Sequence, residues 1–363
     1  MKIGFVAEPY EEKNASGMGH VVLELIKNLL EQDKENEFII FSSVNFNEER
    51  LIGNSKNILI PKSFLKKLLW FGFSLKNIDL LVFVVPLLPL IIFKKIKTLL
   101  VCQELASQKI KPKKILEKIK SIIRDRIMMP ITLKKSSVVV AASNATSEDL
   151  LKFYNIKTEK IKIIYDGFQD LSIFKDREIK IEGRMEPYFF FAGKVKYRKN
   201  VHGIVDGFIK FKKKTKSDCK LIIAGEYGGD YYRNLINKLE ENNLLNDVFF
   251  IGYITKEKLY SFYKNATACV FSSINEGFGM PIAEAMSLGI PVITSNISSM
   301  KEVAGEAGLL VDPFNTNEIA RAMEKIFFDK KLREELIKKG LERSKLFSWQ
   351  KAAQEYLNLI KSL

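Results

Sequence analysis

The chain has 363 residues, 47% of them hydrophobic, and carries 58 Lys and Arg against 43 Asp and Glu for a formal net charge of +15. That length exceeds the roughly 250–300 residues at which a single core stops growing, so a soluble enzyme of two α/β domains is expected. Cys102, Cys219 and Cys269 sit in apolar, strand-like runs without metal-type spacing, which excludes a cysteine metal site and a disulfide framework and reads as reduced core thiols of a cytoplasmic protein.

The opening Met1-Lys-Ile-Gly-Phe-Val-Ala is followed at once by Glu8, Glu11 and Glu12, so no secretory signal is expected. In the first half, Lys2–Ala7, Phe38–Ser42, Leu80–Val85, Leu99–Gln103 and Val138–Ala142 read as strands, with helices near Gly19–Gln32 and Pro112–Met129. The longest apolar run, Leu80–Phe93, is broken by Pro86 and Pro89 and is too short for a bilayer span. Thr146-Ser-Glu-Asp-Leu opens a further helix with a capping-box-like sequence. Asp166-Gly167 is a turn signal, and the polar stretch Phe168–Glu186 reads as a linker. The second half places strands at Tyr188–Ala192, Leu221–Ala224, Val248–Ile251, Ala268–Ser272, Val292–Thr294 and Leu309–Val311, between amphipathic helices. Strand and helix alternate throughout, the pattern of parallel sheets covered on both faces, with crevices at the carboxyl ends of the strands facing a cleft between the domains.

Charge is uneven. Between Lys94 and Lys135 there are thirteen Lys and Arg against Glu104, Glu117 and Asp125, and Ile115, Ile119, Ile122, Ile123 and Ile127 recur at helical spacing, predicting one buried face and one basic face. Such a face can dock on anionic lipid, each cation contributing about 1 kcal/mol near the surface, or simply keep a core stripe soluble. Nucleic acid is the poorer partner, because no aromatic residues interleave with the cations.

Residues 276–284 read Glu-Gly-Phe-Gly-Met-Pro-Ile-Ala-Glu, two carboxylates separated by seven residues across a glycine-rich turn between a strand and a short helix bracketed by Pro281 and Gly289. Gly277 and Gly279 allow backbone N–H groups to approach a ligand, and the helix N-terminus favours a phosphate. Glu284 on the first helical turn can accept from ribose hydroxyls, and Glu276 at the strand end from sugar hydroxyls. Against this stands a plain βα turn whose Glu complements the helix dipole. A second element, Phe191-Ala-Gly-Lys-Val-Lys-Tyr-Arg-Lys-Asn-Val, puts cations at another strand's carboxyl end, suited to a diphosphate leaving group or to solvent. A third, Ala15-Ser-Gly-Met-Gly-His, is only a Gly-x-Gly and fails as a dinucleotide fingerprint; His20 reads as a surface or capping residue.

The stretch Phe271–Asn296, continued by Ser298-Ser-Met-Lys-Glu-Val and Gly308-Leu-Leu-Val-Asp-Pro, resembles the Glu-x7-Glu signature of retaining glycosyltransferases of family 4, the group-1 glycosyltransferases, and its flanks look most like the mannosyltransferase-type branch. The resemblance implies the α/β GT-B fold, two doubly wound Rossmann-like domains: 1–170 binding acceptor, 171–346 binding nucleotide sugar, and 347–363, from Phe347-Ser-Trp, forming a helix that crosses back onto the first domain. It assigns donor phosphates to Lys194 and Lys199, with Glu276 completing the catalytic set; Lys194 stands where arginine is usual, and Arg198 competes for its role. Gly193, Gly277, Phe278, Gly279 and Met280 would line the donor, Glu284 would hold the ribose, Tyr253 and Ile254 the base, and Gly17 would approach the phosphates from across the cleft. Where relatives show His-Asp, this chain has Gln103-Glu104; an amide can hydrogen-bond a sugar but cannot shuttle protons.

No Asp-x-Asp pair suits a catalytic metal, so metal-independent, cofactor-free transfer is expected; the resemblance implies retention of configuration, with the departing diphosphate taking the acceptor's proton and neither glutamate needed as a nucleophile. The resemblance makes GDP-mannose the leading donor, with UDP-hexoses and dTDP-rhamnose as competitors, and a glycan or lipid-linked saccharide of polysaccharide or lipopolysaccharide biosynthesis as acceptor. A phosphorylase would be far longer, and an epimerase fits the signature context poorly. A catalytically silent nucleotide-sugar-binding partner of another transferase is the alternative that Gln103 raises.

Overall fold

The computed structural model describes residues 1–7, 17–44, 54–61, 75, 77–84, 96–109, 115–177, 179 and 187–363. They form two compact units, Met1–Gly167 with Ser348–Leu363, and Phe168–Phe347. The chain thus leaves the first unit after Gly167, close to the expected boundary at 170, and its last helix returns to it.

The first unit is built on strands β1 (Lys2–Val6), β2 (Glu37–Ser42), β3 (Ser55–Leu59), β4 (Leu80–Phe83), β5 (Lys97–Cys102), β6 (Val138–Ala141) and β7 (Ile161–Ile163). All pair in parallel, in the order β3-β2-β1-β4-β5-β6-β7. The central strands are uninterrupted apolar runs because both faces are covered: β4 and β6 are buried at every position. Two strands escaped the sequence reading, both at sheet edges. β3, Ser-Lys-Asn-Ile-Leu, is mostly exposed, and β7 has only three residues, two of them exposed, so neither carries an apolar signal.

The Gly17–Gln32 helix buries Val21, Val22, Leu25, Ile26, Leu29 and Leu30 at helical spacing. The C-terminal Trp349–Ser362 helix packs beside it, and Gln32 Nε2 donates to the Gln350 carbonyl at 3.0 Å. Where that helix begins, Gly167 has no room for a side chain: a Cβ would lie 2.2 Å from the Trp349 amide nitrogen. The helix placed at Thr146 starts earlier, at Asn144, with Ser143 as its cap accepting from the Thr146 N–H at 3.1 Å. Thr146 lies within the first turn, and its hydroxyl donates instead to the Gln103 carbonyl.

The basic stretch departs from expectation. The Ile115–Ile123 helix continues through a π-turn, Arg124–Met128, into Met129–Lys135, but its isoleucines do not form a buried face. Ile115, Ile119, Ile122, Ile123 and Ile127 are between 45% and 76% exposed. Periodicity identifies an amphipathic helix without identifying what covers its apolar side. Lys94, Lys95, Lys113 and Lys114 lie outside the described residues, as do Pro86 and Pro89. Among the described residues no helix is long and apolar enough to cross a membrane.

The second unit carries β8 (Tyr188–Ala192), β9 (Lys220–Ala224), β10 (Val248–Gly252), β11 (Ala268–Phe271), β12 (Val292–Ser295) and β13 (Gly308–Val311), all parallel in the order β10-β9-β8-β11-β12-β13. Relabelled from one to six, this is 3-2-1-4-5-6, with the order reversing between β8 and β11; ligands of such sheets bind outside the carboxyl ends at that point. Part of the expected linker is ordered here: Leu171–Arg177 forms a 3₁₀ stretch with Leu171 buried, packed on the Lys256–Lys264 helix. The three cysteines are free and buried, and burial pushes the Cys102 and Cys219 thiols up to about 12, so they remain protonated core residues.

Candidate functional site

The reversal between β8 and β11 brings together the two motifs that lie some eighty residues apart in the chain. The loop after β8 turns through Tyr197–Lys199 into the Val201–Thr215 helix, and the loop after β11 runs through Glu276 into the Met280–Ser287 helix. The loops are joined through their backbones, the Ile274 N–H donating to the Arg198 carbonyl at 2.9 Å. Their side chains then converge. Lys199 Nζ lies 2.8 Å from Glu276 Oε1, and Arg198 Nη1 lies 3.4 Å from Glu276 Oε2 while donating to the Asn275 carbonyl at 2.9 Å. Lys199 also sits 4.9 Å above the Phe271 ring, a cation–π contact on the last residue of β11.

Glu276 is only 8% exposed. Its Oε1 faces Lys199 as an ion pair without hydrogen-bond geometry, so acceptor capacity remains on a buried carboxylate. The two cations offset part of the cost of burying this carboxylate. Its main chain is tightly held: the Glu276 N–H donates to Ser298 Oγ at 3.3 Å, and Ser298 Oγ and Ser299 Oγ both donate to the Glu276 carbonyl at 2.9 Å. Ser298 adopts φ +57°, a left-handed conformation unusual for serine, so strain is accepted at the residue that grips Glu276.

Gly279 caps the Met280–Ser287 helix with φ +104°, a conformation that needs glycine, and Pro281 stands in its first turn. Gly277 and Gly279 are buried and Met280 is half-buried. Phe278 points the other way: it is 3% exposed and packs edge-on against Phe347, with ring centroids 5.2 Å apart, so its ring serves the core of this unit. Glu284 is half-buried, its carboxyl set against the fully buried Tyr263, whose hydroxyl lies 3.4 Å from Oε2. Burial pushes the Glu284 carboxyl up to about 7, opposed by the Tyr263 contact and the more distant Lys256 charge. A carboxyl so weakly satisfied can accept from an incoming pair of hydroxyls.

The remaining predicted residues are more dispersed. Lys194 pairs with Glu226 at the end of β9 and does not join Glu276. Lys196 beside it is held below the usual lysine range by burial and by its neighbours Lys194, Arg198 and Lys199. Gly193 follows β8 and its N–H donates to the Ala224 carbonyl at 2.8 Å. Tyr253 and Ile254 follow β10 at the same edge of the sheet, Tyr253 being 84% exposed. Gln103 and Gly17 belong to the first unit: Gln103 is buried at the end of β5, and Gly17 is the exposed first residue of its helix, the rest of the preceding loop lying outside the described residues.

With this geometry in view, comparison with known proteins is decisive. Residues 172–343 match the family of glycosyl transferases group 1. The match to the group 1 glycosyltransferases lies within the second unit. It is similar to O-antigen chain mannosyltransferase B of Escherichia coli, 28% identical over 242 residues that cover 64% of this chain and 62% of that protein. It is also similar to O-antigen chain mannosyltransferase RfbU of Salmonella typhimurium, 30% identical over 201 residues, 55% of this chain and 54% of that one. The chain therefore spans between about half and two thirds of the length of these curated relatives. Among solved structures, HepE from Anabaena in complex with UDP-glucose superposes with a TM-score of 0.79 at 16% identity, covering 100% of both chains. That likeness shows the fold, GT-B.

Several residues that hold these strand ends in place carried no assignment in the sequence. Ser298 and Ser299 lie within the signature stretch, but nothing in their spacing announces a grip on the Glu276 peptide. Asn200, 1% exposed and left-handed at φ +55°, donates from Nδ2 to the carbonyls of Ser272 at 3.0 Å and Pro313 at 2.7 Å, tying the loops after β8, β11 and β13 together. An asparagine directly before a helix was the available signal, since Asn tolerates this backbone conformation. Asp166, read only as half of a turn, is buried and accepts from Gln103 Nε2 at 3.1 Å.

Proposed function

We propose that this chain is a retaining, metal-independent glycosyltransferase that moves a hexose from a nucleotide sugar, with GDP-mannose as the leading donor, to a glycan or lipid-linked saccharide acceptor. The carrying observation is the convergence of Lys199 and Arg198 on the buried Glu276 at the reversal of the second sheet. Glu276 is the counter-ion of two cations. A donor diphosphate seated on the Met280–Ser287 helix end would meet those cations, and Lys194 beyond them, without any bound ion. Arg198 supplies the planar fork that Lys194 lacks.

In the reaction, the bond between the anomeric carbon and the diphosphate oxygen breaks, and the acceptor oxygen bonds to the same face of that carbon. The acceptor's proton passes to the departing diphosphate, giving the glycoside and a nucleoside diphosphate. Glu276, occupied by two cations, suits hydrogen bonding to the sugar better than nucleophilic attack. Glu284 holds the ribose, and the exposed Tyr253 with Ile254 offers the base a surface. Backbone at Gly193, Gly277, Gly279 and Met280 lines the donor.

The relatives named as mannosyltransferases support mannose; the UDP-glucose bound to HepE keeps UDP-hexoses in competition. The exposed isoleucines of the 115–128 helix, flanked by Lys118, Lys120, Arg124 and Arg126, support docking on an anionic membrane surface. Release of nucleoside diphosphate from a donor panel, with and without lipid-linked acceptor and with EDTA, tests the reading. Acceptor-stimulated release that survives EDTA is expected. Absence of release from every donor would leave the chain a silent binding protein.

A further inference from the structure

We propose that Asn200 is a positioning residue that keeps the Lys199 ammonium on Glu276, by fixing the turn that carries the lysine to the strand end that leads to the carboxylate. This role lies wholly within the second unit, and it rests on the reading above that the cations at the β8–β11 reversal take the donor diphosphate.

An asparagine directly before a helix ordinarily caps it, its side chain accepting from the first free N–H groups. Asn200 does not. Left-handed at φ +55°, it makes no side-chain cap bond to the Val201–Thr215 helix, and the Tyr231 hydroxyl accepts from the His202 N–H instead, at 3.0 Å. The amide is thereby released toward the neighbouring strand ends. Its nitrogen donates to two carbonyls, that of Ser272 at 3.0 Å and that of Pro313 at 2.7 Å. Ser272 follows Phe271, the last residue of β11, and leads through Ser273, Ile274 and Asn275 into Glu276. The residue next to Lys199 is therefore tied to the segment that supplies both groups its ammonium meets, the Phe271 ring and the Glu276 carboxylate.

Stability alone would favour glycine here, which reaches this backbone conformation without strain. The asparagine amide is buried instead, and among the described residues nothing donates to its Oδ1, which is costly for a polar atom out of water. The helix makes room for it at Gly203, where a Cβ would lie 2.5 Å from that Oδ1. What asparagine adds over glycine is the pair of donated bonds, and both end on loops at the carboxyl edge of the sheet. A long, flexible lysine gains most from such a hold, because a cation stabilises developing charge best when its place is set in advance.

Two substitutions remove the tie by different routes. Asn200→Gly keeps the left-handed backbone and deletes the amide, whereas Gly203→Ala keeps the amide and pushes it from its seat. The backbone bond from the Ile274 N–H to the Arg198 carbonyl involves neither residue, so the two loops stay joined in both variants. Calorimetry on the full chain with GDP and with UDP, below the thermal midpoint of each variant, should show either change weakening the better-bound nucleotide about tenfold. In a Lys199→Ala background either change should alter that Kd less than about twofold, because a residue acting through another is non-additive with it. A tie that serves stability alone would lower the thermal midpoint while leaving Kd at the wild-type value, or would add its effect to that of Lys199→Ala. Either result would overturn the positioning role. Wild-type Kd for Lys199→Ala itself would instead remove the diphosphate reading on which the role rests.

Discussion

The two sheets share a parallel, doubly wound plan, yet their functional ends are furnished differently. At the β8–β11 reversal, two cations and a buried carboxylate meet within 3.4 Å, and strain at Ser298 is accepted to hold the carboxylate's peptide in place. At the end of β5 the candidate group is a neutral amide held by a buried carboxyl, with no cation in the pair. Topology supplies a place at the carboxyl ends of both sheets, while charge decides what each can do. The second unit gathers two cations on one buried carboxylate, and the first pairs an amide with a buried carboxyl.

The largest expected effect breaks that contrast at its charged end. Lys199→Ala should weaken nucleoside diphosphate binding and slow transfer by on the order of a hundredfold, since it removes a preorganised cation and leaves Glu276 buried with a single partner. Unchanged calorimetric affinity in a folded variant would return this loop to a solvated face.

Glu284 offers a pH test of intermediate size. Its carboxyl is raised to about 7 by burial, and only the ionised form accepts from both ribose hydroxyls. Nucleoside diphosphate affinity should therefore rise toward pH 7, by up to about tenfold per unit below that value, and flatten above it. The same shift has a stability consequence. An acid whose folded pKa exceeds its unfolded one binds more protons when folded, so its contribution to stability falls as pH rises from about 4.5 to 7. Glu284→Gln should accordingly raise the thermal midpoint of the ligand-free protein at pH 8 and leave it unchanged at pH 4. A pH-independent shift would contradict the assignment.

The smallest effect concerns the 115–128 helix. Charge reversal at Lys118 and Lys120 should reduce binding to anionic vesicles severalfold at low salt, each cation contributing about 1 kcal/mol, and leave turnover on a soluble acceptor intact. Equal binding to neutral and anionic vesicles would remove the membrane role.

How much of this was readable in the chain follows from what sequence patterns encode. The central strands and the Glu276–Glu284 signature were visible because burial on both faces demands apolar runs and the turn demands glycine. β3 and β7 were not, since β3 is mostly exposed and β7 has three residues of which two are exposed, so neither carries an apolar pattern. The isoleucine stripe of the 115–128 helix predicted a helix correctly and its burial wrongly, because amphipathicity does not say what an apolar face meets. Phe278 sat inside the signature yet serves the core against Phe347. Within the basic loop, spacing could not say that Arg198 and Lys199 turn toward Glu276 while Lys194 turns toward Glu226. Asp166, Asn200 and Ser298 act through contacts distant in sequence, which no local pattern records.

The central claim is that the two carboxylates of the signature divide the donor between them, and the most direct measurement compares Glu276→Gln with Glu284→Gln. Calorimetry with the nucleoside diphosphate and transfer kinetics with the full nucleotide sugar would be run on both. Glu284→Gln should weaken diphosphate and donor alike, by roughly ten- to a hundredfold for hydrogen bonds to a charged group. Glu276→Gln should retain diphosphate affinity, because Lys199 and Arg198 lose a competitor for the phosphates, while turnover falls. The reverse pattern, with Glu276→Gln abolishing diphosphate binding and Glu284→Gln sparing it, would contradict the account.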